Sequence, residues 1–534
     1  MTKAEKRILL LLSLAQLILT LDSTVMNVSI TTLVKDLSTT VAGVQSAITF
    51  YSLVMAAFMI AGAKVGDIIG RKKAFVVGLV VYGLGSFITA LAPNITVLKI
   101  GWSLLEGLGA ALVIPAMISL ISSNFAAGPR RIKAYGTWAA MAAIGTGIGP
   151  IVGGVLTTYA SWRWAFAGEV LIVVYILLNR AVIVDAKLEG AKPRLDWLGV
   201  GLSASAMAII VQGVLMASSY GLLRARQDWV INNVVLVQVG DISPTVYLVA
   251  VGLIIMALFA AWQTYRLQSK RDVLLHLRLL KNKIVTSGMG AVFAIQFVLA
   301  GTMYSLALYL QLELGYNAMA TGVAMLPLSV MILVLASRGP KYSAKFAPRL
   351  IVQVGFVVTV LGVIWLGIKS GDVRDGLALL PALALVGAGT GLIVSQLQNL
   401  VQSSVTQQDS AEASGLFATF QYFGASVGTA MSGVLLIGVL IAASNQAIEA
   451  NTTLNAAQKA QLTSAYDSKA QIASNAQVES LVAAQPPELA QAVVDINATA
   501  RQQALSATFV LLGILGALGL ISTRHLPAGK PKPV

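Results

Sequence analysis

The chain contains no cysteine, which excludes disulfides, thiolate metal sites and cysteine nucleophiles. Histidine is nearly absent: His276 and His525 both lie in basic polar segments and build no metal cluster. Charged residues make up only 11% of 534, against 57% hydrophobic. A soluble protein of this size could not cover its surface with so few charges. No HExxH, GxSxG or Walker phosphate loop occurs, so an integral-membrane enzyme has little support. Acidic residues are scarce too, 22 Asp+Glu against 37 Lys+Arg, giving a formal net charge of +15. Such an excess can signal nucleic acid, but its distribution argues otherwise.

What is present is a series of apolar runs, each long enough to cross about 30 Å of hydrocarbon. They fall near 8–30, 45–65, 74–92, 97–122, 134–159, 164–184, 196–218, 246–266, 284–310, 320–337, 350–368, 377–401, 412–443 and 503–523. The first is too long for a signal-peptide core and lacks a small-residue cleavage site, so it is expected to remain as a span. With the N-terminus in the cytoplasm, the inside segments collect Lys3, Lys6 and Arg7; Lys64, Arg71, Lys72 and Lys73; and Arg130, Arg131 and Lys133. Arg180, Lys187, Lys192, Arg194, Arg266, Lys270, Arg271, Arg278, Lys281 and Lys283 continue the set. Arg338, Lys341, Lys345, Arg349, Arg524, Lys530 and Lys532 complete it, giving 27 of the 37 Lys+Arg. The positive-inside rule accounts for this alternation. The basic excess therefore reads as topology: a multi-pass cell-membrane protein with both termini cytoplasmic, bound to lipid and not to nucleic acid.

The spans group as six, two and six. The expected divisions are a first six-helix bundle over 1–190, two extra spans with a cytoplasmic linker over 191–283, and a second bundle over 284–534. Within the linker, Val273 to Leu280 reads as an amphipathic helix lying on the inner membrane surface. Residues 219–245, with Trp229 and a run of valines, suit a small hairpin. Segment 444–502 is rich in Ala, Gln, Asn and Ser, and the spacing of Leu454, Ala457, Leu462 and Tyr466 suggests two outer helices, with a disordered linker as the alternative.

Asp22 lies deep in the first run. An intramembrane carboxylate is costly unless it faces a cavity or a partner, and by default it marks an ion or substrate path. A polar knob joining two helices is the plainer alternative. Asp22, Met26 and roughly Ser29 share one helical stripe, with Thr24 and Asn27 on the neighbouring face. After the second run comes Gly66-Asp67-Ile68-Ile69-Gly70-Arg71-Lys72-Lys73. Asp67 is expected to cap a helix N-terminus and to pair with Arg71, and Gly66 and Gly70 to allow a tight turn. In the fifth run, Gly145, Gly149, Pro150, Gly153 and Gly154 combine a kink with small residues for close helix contact.

In this order, on fourteen spans, these patterns resemble the major facilitator superfamily, in particular its fourteen-span drug:proton antiporters. The loop from Gly66 to Lys73 is similar to the superfamily loop between spans two and three. The run from Gly145 to Gly154 is similar to the antiporter motif of span five, and Leu21 to Val28 to the first-span signature of the fourteen-span group. Trp162 to Phe166, Leu195 to Gly199, Tyr309-Leu310-Gln311 with Gly315, Tyr316, Gly322 and Leu326-Pro327, and Ala413 to Leu416 with Gly424 and Gly428 also fit. The resemblance implies an all-α polytopic membrane protein of two six-helix bundles and two linker spans, fourteen transmembrane helices in all, rocking about a midplane site. It further implies proton-coupled efflux of hydrophobic, cationic or neutral compounds, multidrug type, by a monomer without cofactor or metal. Exporting a native lipid, siderophore or cell-wall precursor is the runner-up, and a membrane receptor or scaffold the non-transport alternative.

The chain departs from the family pattern at several points. Ala63 and Ile68 replace a glycine and an arginine, and Thr31 stands where proline is common. In the fourth span Ser103 replaces an arginine used by the family in proton coupling, and Glu106 replaces a glutamine. Glu169 stands where asparagine is common. Asp22, Glu106 and Glu169 are therefore the proton-coupling candidates, since a carboxylate in an apolar cavity can exchange a proton near physiological pH. A structural cap or buried acceptor is the alternative for the two glutamates. Candidates for contacting substrate are Asn27, Gln296, Tyr304, Gln396, Asn399, Gln421 and Tyr422, although isolated Gln and Tyr in such helices commonly only bridge neighbours.

Overall fold

A computed structural model describes residues 1–126, 129–185, 194–231, 234–343, 345–371, 376–406, 409–469, 475–483 and 485–529. The division expected at 190/191, and Lys187, Lys192, Lys530 and Lys532, lie outside them. Among the described residues, 13 helices are long and apolar enough to cross a membrane. The first five are Lys3–Val28, Val41–Ile69, Arg71–Ala90, Ile95–Asn124 and Lys133–Tyr159. Trp197–Tyr220 and Pro244–Gln268 are the extra pair. Lys283–Glu313, Ala318–Ser337, Pro348–Ser370, Gly376–Ser403, Glu412–Ala450 and Pro487–His525 make the last six. The sixth place is filled by Arg163–Leu178, only 16 residues, or about 24 Å at 1.5 Å per residue. An Arg180–Val182 turn follows it, so the expected sixth span is present as a short helix.

Both termini lie at one face of the molecule, where Arg130 pairs with Glu5 and the Arg349 amide donates to the Pro527 carbonyl. The first span packs along the fifth, and the third lies between the fourth and sixth. In the second half the ninth packs on the thirteenth, and the eleventh on the twelfth and fourteenth. The halves meet along two seams, second against thirteenth and fifth against tenth. The seventh and eighth spans pair with each other, and the seventh leans on both the second and the thirteenth. There Met207 and Val211 bury with Leu53 and Ala56, beside Tyr422 and Phe423.

Away from the termini the two halves are stitched together. Gln45 Nε2 donates to the Thr429 carbonyl at 2.7 Å, and Ser426 Oγ to the Thr49 carbonyl at 2.9 Å. The Met319 amide donates to Thr158 Oγ1 at 3.0 Å. Toward the terminal face a cavity of about 350 Å³ opens between the halves.

Two features away from the terminal face follow the sequence reading. Strands β1 (Trp229–Ile231) and β2 (Val234–Val237) form an antiparallel ribbon between the seventh and eighth spans. The thirteenth helix runs on to Ala450 and the fourteenth begins at Pro487, with helices Ala456–Lys469 and Asn475–Val482 between them. Ile448, Leu454, Ala492 and Ile496 give this outer segment its own small core, which is why it is helical.

The linker departs from expectation. Val273 to Leu280 is not an amphipathic surface helix; only Leu277–Lys281 forms a 3₁₀ turn. Val273, Leu274, Leu275 and Leu279 are buried against the protein instead. Gln263 Oε1 accepts from the Leu274 and Leu275 amides, and Glu412 accepts from the His276 amide. Side-chain acceptors thus satisfy the backbone that a helix would have satisfied internally, and an extended strap buries more of the leucines.

Candidate functional site

The first helix runs to Val28, breaks at Ser29 and restarts at Ile30. Asp22 lies before that break and is fully buried. Its partner comes from the fourth span: Trp102 Nε1 donates to Oδ1 at 2.7 Å and Oδ2 at 2.9 Å. Trp102 also stacks flat on Tyr51, with centroids 4.8 Å apart and an interplanar angle of 4°. The fourth span is π-helical over Lys99–Glu106. An extra residue in the turn re-aims side chains, and such bulges recur at functional sites. Ser103 consequently turns away from the carboxylates and donates to the Ala47 carbonyl at 2.8 Å. The third span can approach this bulge closely because Gly85 and Gly101 meet; a Cβ on Gly85 would lie 2.6 Å from the Gly101 carbonyl oxygen.

Glu106 and Glu169 join Asp22. The three are buried, and one oxygen from each lies within 4.8 Å of the others. Tyr82 and Ser86 of the third span donate to Glu169 Oε2 at 3.0 and 2.9 Å. Thr89 Oγ1 lies 3.2 Å from Glu106 Oε1. Among the described residues, Glu106 Oε2 and Glu169 Oε1 have no hydrogen-bond partner. Two unit charges at this separation repel by about 3 kcal/mol at an effective dielectric constant near 20, so binding a proton or cation relieves the cluster. The carboxyl oxygens could hold a hard metal ion. The indole N–H and the hydroxyls, however, point hydrogens into the cluster, which suits carboxyl groups exchanging protons better than a bare cation.

The structure thus brings together all three acids chosen from sequence. Trp102, Tyr51, Tyr82, Ser86 and Thr89 were not chosen. Tyr82, Ser86 and Thr89 recur at helical spacing in a helix that is otherwise apolar after Lys73, a polar stripe that sequence could have flagged. Trp102 and Tyr51 carry no such signal.

The loop motif differs in part from its expected role. Asp67 sits in the last turn of Val41–Ile69 and pairs with Arg71, as expected, but it caps no helix. The next helix starts at Arg71, with Gly70 at its N-cap and no side-chain cap from Asp67; Asp185, from after the sixth helix, accepts from the Lys72 amide at 3.2 Å. Asp67 is on the wrong side of the turn to reach the free amides. Gly70 has φ of +99°, which requires glycine, whereas Gly66 is helical and its bare surface admits the Arg71 side chain. Arg71 Nη1 further donates to the Ala63 carbonyl at 2.9 Å.

The glycines of the fifth span serve two neighbours. Gly145, Gly149 and Gly153 face the first span, where added Cβ atoms would meet Thr20, Thr24 and Val25. Gly154 faces the tenth span at Ala318, and the Pro150 carbonyl would lie 2.1 Å from a Cβ on Gly322. This helix therefore touches both the acid-bearing span and the opposite bundle.

The substrate candidates are dispersed. Gln396 is buried within the second bundle, accepting from Ser343 Oγ at 2.6 Å and donating to Ser395 Oγ at 2.9 Å. Tyr304 is buried in the core and Asn399 is exposed. Asn27, Gln296, Gln421 and Tyr422 are half-buried. The cavity is lined instead by Met59, Ile114, Ile118 and Ala418 with Gln402 and Ser414, and Arg71, Arg131 and Tyr135 also border it.

One cross-bundle contact went unforeseen in detail. Gln311, in a π-helical turn ending the ninth span, is buried. Its Oε1 accepts from the Thr31 amide and hydroxyl at 3.0 and 2.9 Å. Its Nε2 donates to the Val28 and Asn27 carbonyls at 3.1 and 3.3 Å. The side chain thus replaces backbone bonds lost at the break in the first span.

Comparison with known proteins bears on this arrangement. Residues 12–429 match the family model described as Major Facilitator Superfamily. The chain is 28% identical over 429 residues to the probable actinorhodin transporter of Streptomyces coelicolor, covering 79% of this chain and 70% of that protein. It is also 28% identical to puromycin resistance protein pur8 of Streptomyces alboniger, covering 80% and 81%. Among solved structures, a bacterial homolog of the human lysosomal transporter Spinster, inward-facing and unoccupied, superposes with a TM-score of 0.61 at 14% identity over 100% of both chains.

Proposed function

Because the chain belongs to the Major Facilitator Superfamily, we propose that it exports hydrophobic, cationic or neutral compounds across the cytoplasmic membrane in exchange for protons, as a multidrug-type antiporter. It is a multi-pass membrane transporter and not an enzyme. One observation carries the exchange reading: the buried Asp22, Glu106 and Glu169 carboxyls, within 4.8 Å of one another on the first, fourth and sixth helices. Of the cations bordering the cavity, Arg71 is paired with Asp67 and Arg131 donates to the Phe125 carbonyl, while the buried acids supply negative charge inside the bundle. Protons bound at the acids in one access state and released in the other would bias the bundles' rocking, while a lipophilic cation or neutral amphiphile uses the cavity. Both termini would then lie in the cytoplasm, in keeping with the basic residues of the terminal face.

The family relatives named for resistance or for transport of a single natural product support export and leave breadth open. Export of one native metabolite is the second reading, favoured by the similarity to the probable actinorhodin transporter.

The test is dye movement in proteoliposomes under an imposed pH gradient. Wild type should drive a lipophilic cationic dye against its gradient, and Asp22→Asn should abolish this while inserting normally. Glu106→Gln and Glu169→Gln should each alter the pH dependence of dye binding, since the amide keeps shape but not charge change. Dye flux indifferent to the pH gradient would refute the antiport reading. Transport of one metabolite with no dye flux would favour the second.

A further inference from the structure

The ribbon between the seventh and eighth spans is apolar on both sides. Side chains alternate between faces along a strand, yet Val234, Val235 and Leu236 are consecutive and all exposed, at 58%, 46% and 53%. Val230, Val239, Ile242, Leu222 and Leu223 are exposed as well. A two-stranded ribbon standing in water is marginal even with one polar face, so this one has no reason to be apolar on two.

Its chain connections fix its height. Span seven ends at Tyr220 and span eight begins at Pro244, so the ribbon emerges where these helices leave the hydrocarbon. Its base is closed tightly: Ser243 Oγ and Thr245 Oγ1 both donate to the Gly221 carbonyl, at 2.6 and 3.0 Å. Gly221 has φ of +87°, which turns the chain sharply out of the helix. The two ribbon carboxylates are occupied within it, Asp228 accepting from the Val239 amide and Asp241 from the Gln238 amide. Tyr220, Trp229 and Tyr247 sit around this level, as aromatic residues do at a membrane–water interface. Arg224 and Arg226 stand at the base, Arg224 Nη1 donating to the Gly240 carbonyl and the Arg226 amide to the Tyr220 carbonyl, and cationic side chains at this level suit headgroup phosphates. The eighth span that follows it exposes Val251, Leu253, Ile254 and Leu258 as well.

We infer that this ribbon is a membrane-interface anchor whose partner is the bilayer leaflet on the side away from the termini, its valines and leucines lying among the acyl chains. It holds the extra pair of spans at fixed depth while the two bundles, both touched by span seven, move against each other.

Because the chain has no cysteine, single substitutions give unique labelling sites. Val235→Cys and Val239→Cys would carry a spin label in phosphatidylcholine proteoliposomes, with collision by oxygen and by a neutral nickel chelate compared. Leu253→Cys on the lipid face of span eight and Ala465→Cys on an outer helix are the reference sites. Labels at 235 and 239 should, like 253, collide with oxygen in preference to the nickel chelate, and report a shallower depth of about 5–10 Å, as for other interfacial elements. Values matching 465 would place the ribbon in water and overturn the inference. Exclusion of both collision partners would mark a protein occupant, including a second copy, and would overturn it equally.

Discussion

Replacing Gln311 by leucine should open the seam away from the termini. Leucine is close in size but removes both acceptor and donor functions. Four hydrogen bonds at 2.9–3.3 Å are lost from a site that is 6% exposed. At about 0.5–1.5 kcal/mol net each, the loss is roughly 2–6 kcal/mol. Those bonds join the ninth span to the break in the first, so they exist only while the two bundles are closed at this end. Moving a two-state equilibrium from 1:99 to 99:1 takes about 5.5 kcal/mol. A loss of about 3 kcal/mol therefore brings a state populated at 99% to near one half. The assay is double electron–electron resonance between labels at Lys35→Cys and Lys369→Cys, both exposed and on opposite bundles away from the termini. Wild type should give one short distance population, and Gln311→Leu should add a longer one. Gln311→Glu keeps the acceptor for Thr31 while losing the amide donor, and should fall between. Identical distance distributions in wild type and Gln311→Leu would refute the latch, because the lost bonds would then contribute equally to both states.

Other consequences follow from single contacts. Gly322→Ala puts a Cβ 2.1 Å from the Pro150 carbonyl oxygen, so the fifth and tenth spans must part; overpacking costs about 1–3 kcal/mol, and the same label pair should lengthen with insertion unchanged. Asp67→Ala removes the partner of Arg71, and should lower turnover with little change in substrate affinity, measured as a split between kcat and KM. Trp102→Phe preserves stacking on Tyr51 but removes the N–H shared by both Asp22 oxygens, so it should shift the pH profile of dye exchange where Tyr51→Phe does so less. The Arg278 guanidinium donates to Asp409 and holds its carboxyl below the ordinary value. A depressed value stabilises above the unfolded-state pKa and is lost as pH falls through the folded one. Protection of the Val273 to Leu275 amides, measured against their intrinsic exchange, should therefore fall below about pH 4, and an Arg278→Ala variant should show no such pH-dependent loss.

Much of the architecture was legible because the bilayer imposes a length on every apolar run and satisfies no backbone group. Thirteen of the fourteen expected spans, the hairpin and the two helices after the thirteenth span could be read from runs and spacings. The three acids could be named because charge in an apolar helix is rare and costly, whatever it faces. The sixth span read longer than its helix because Ala181 to Val184 resume the apolar run after Asn179 and Arg180, where the helix gives way to the Arg180–Val182 turn. The strap over 273–280 misled because its leucine spacing fits a helix, while the acceptors that hold it extended, Gln263 and Glu412, come from elsewhere in the chain.

By itself, then, the sequence determined what each segment could do alone: which runs cross a membrane, which glycines permit close approach, and which carboxylates are too deep to be ordinary. Only the tertiary structure decided what these groups face. Span three supplies Tyr82, Ser86 and Thr89 to acids on spans four and six, and the π-helical turn at Lys99–Glu106 aims Trp102 at Asp22 while turning Ser103 away. Gln311 closes on a helix break some 280 residues earlier in the chain. Hydropathy is a property of one segment and survives in the linear order. Facing is a relation between two segments, set by packing and by where each helix bulges or breaks.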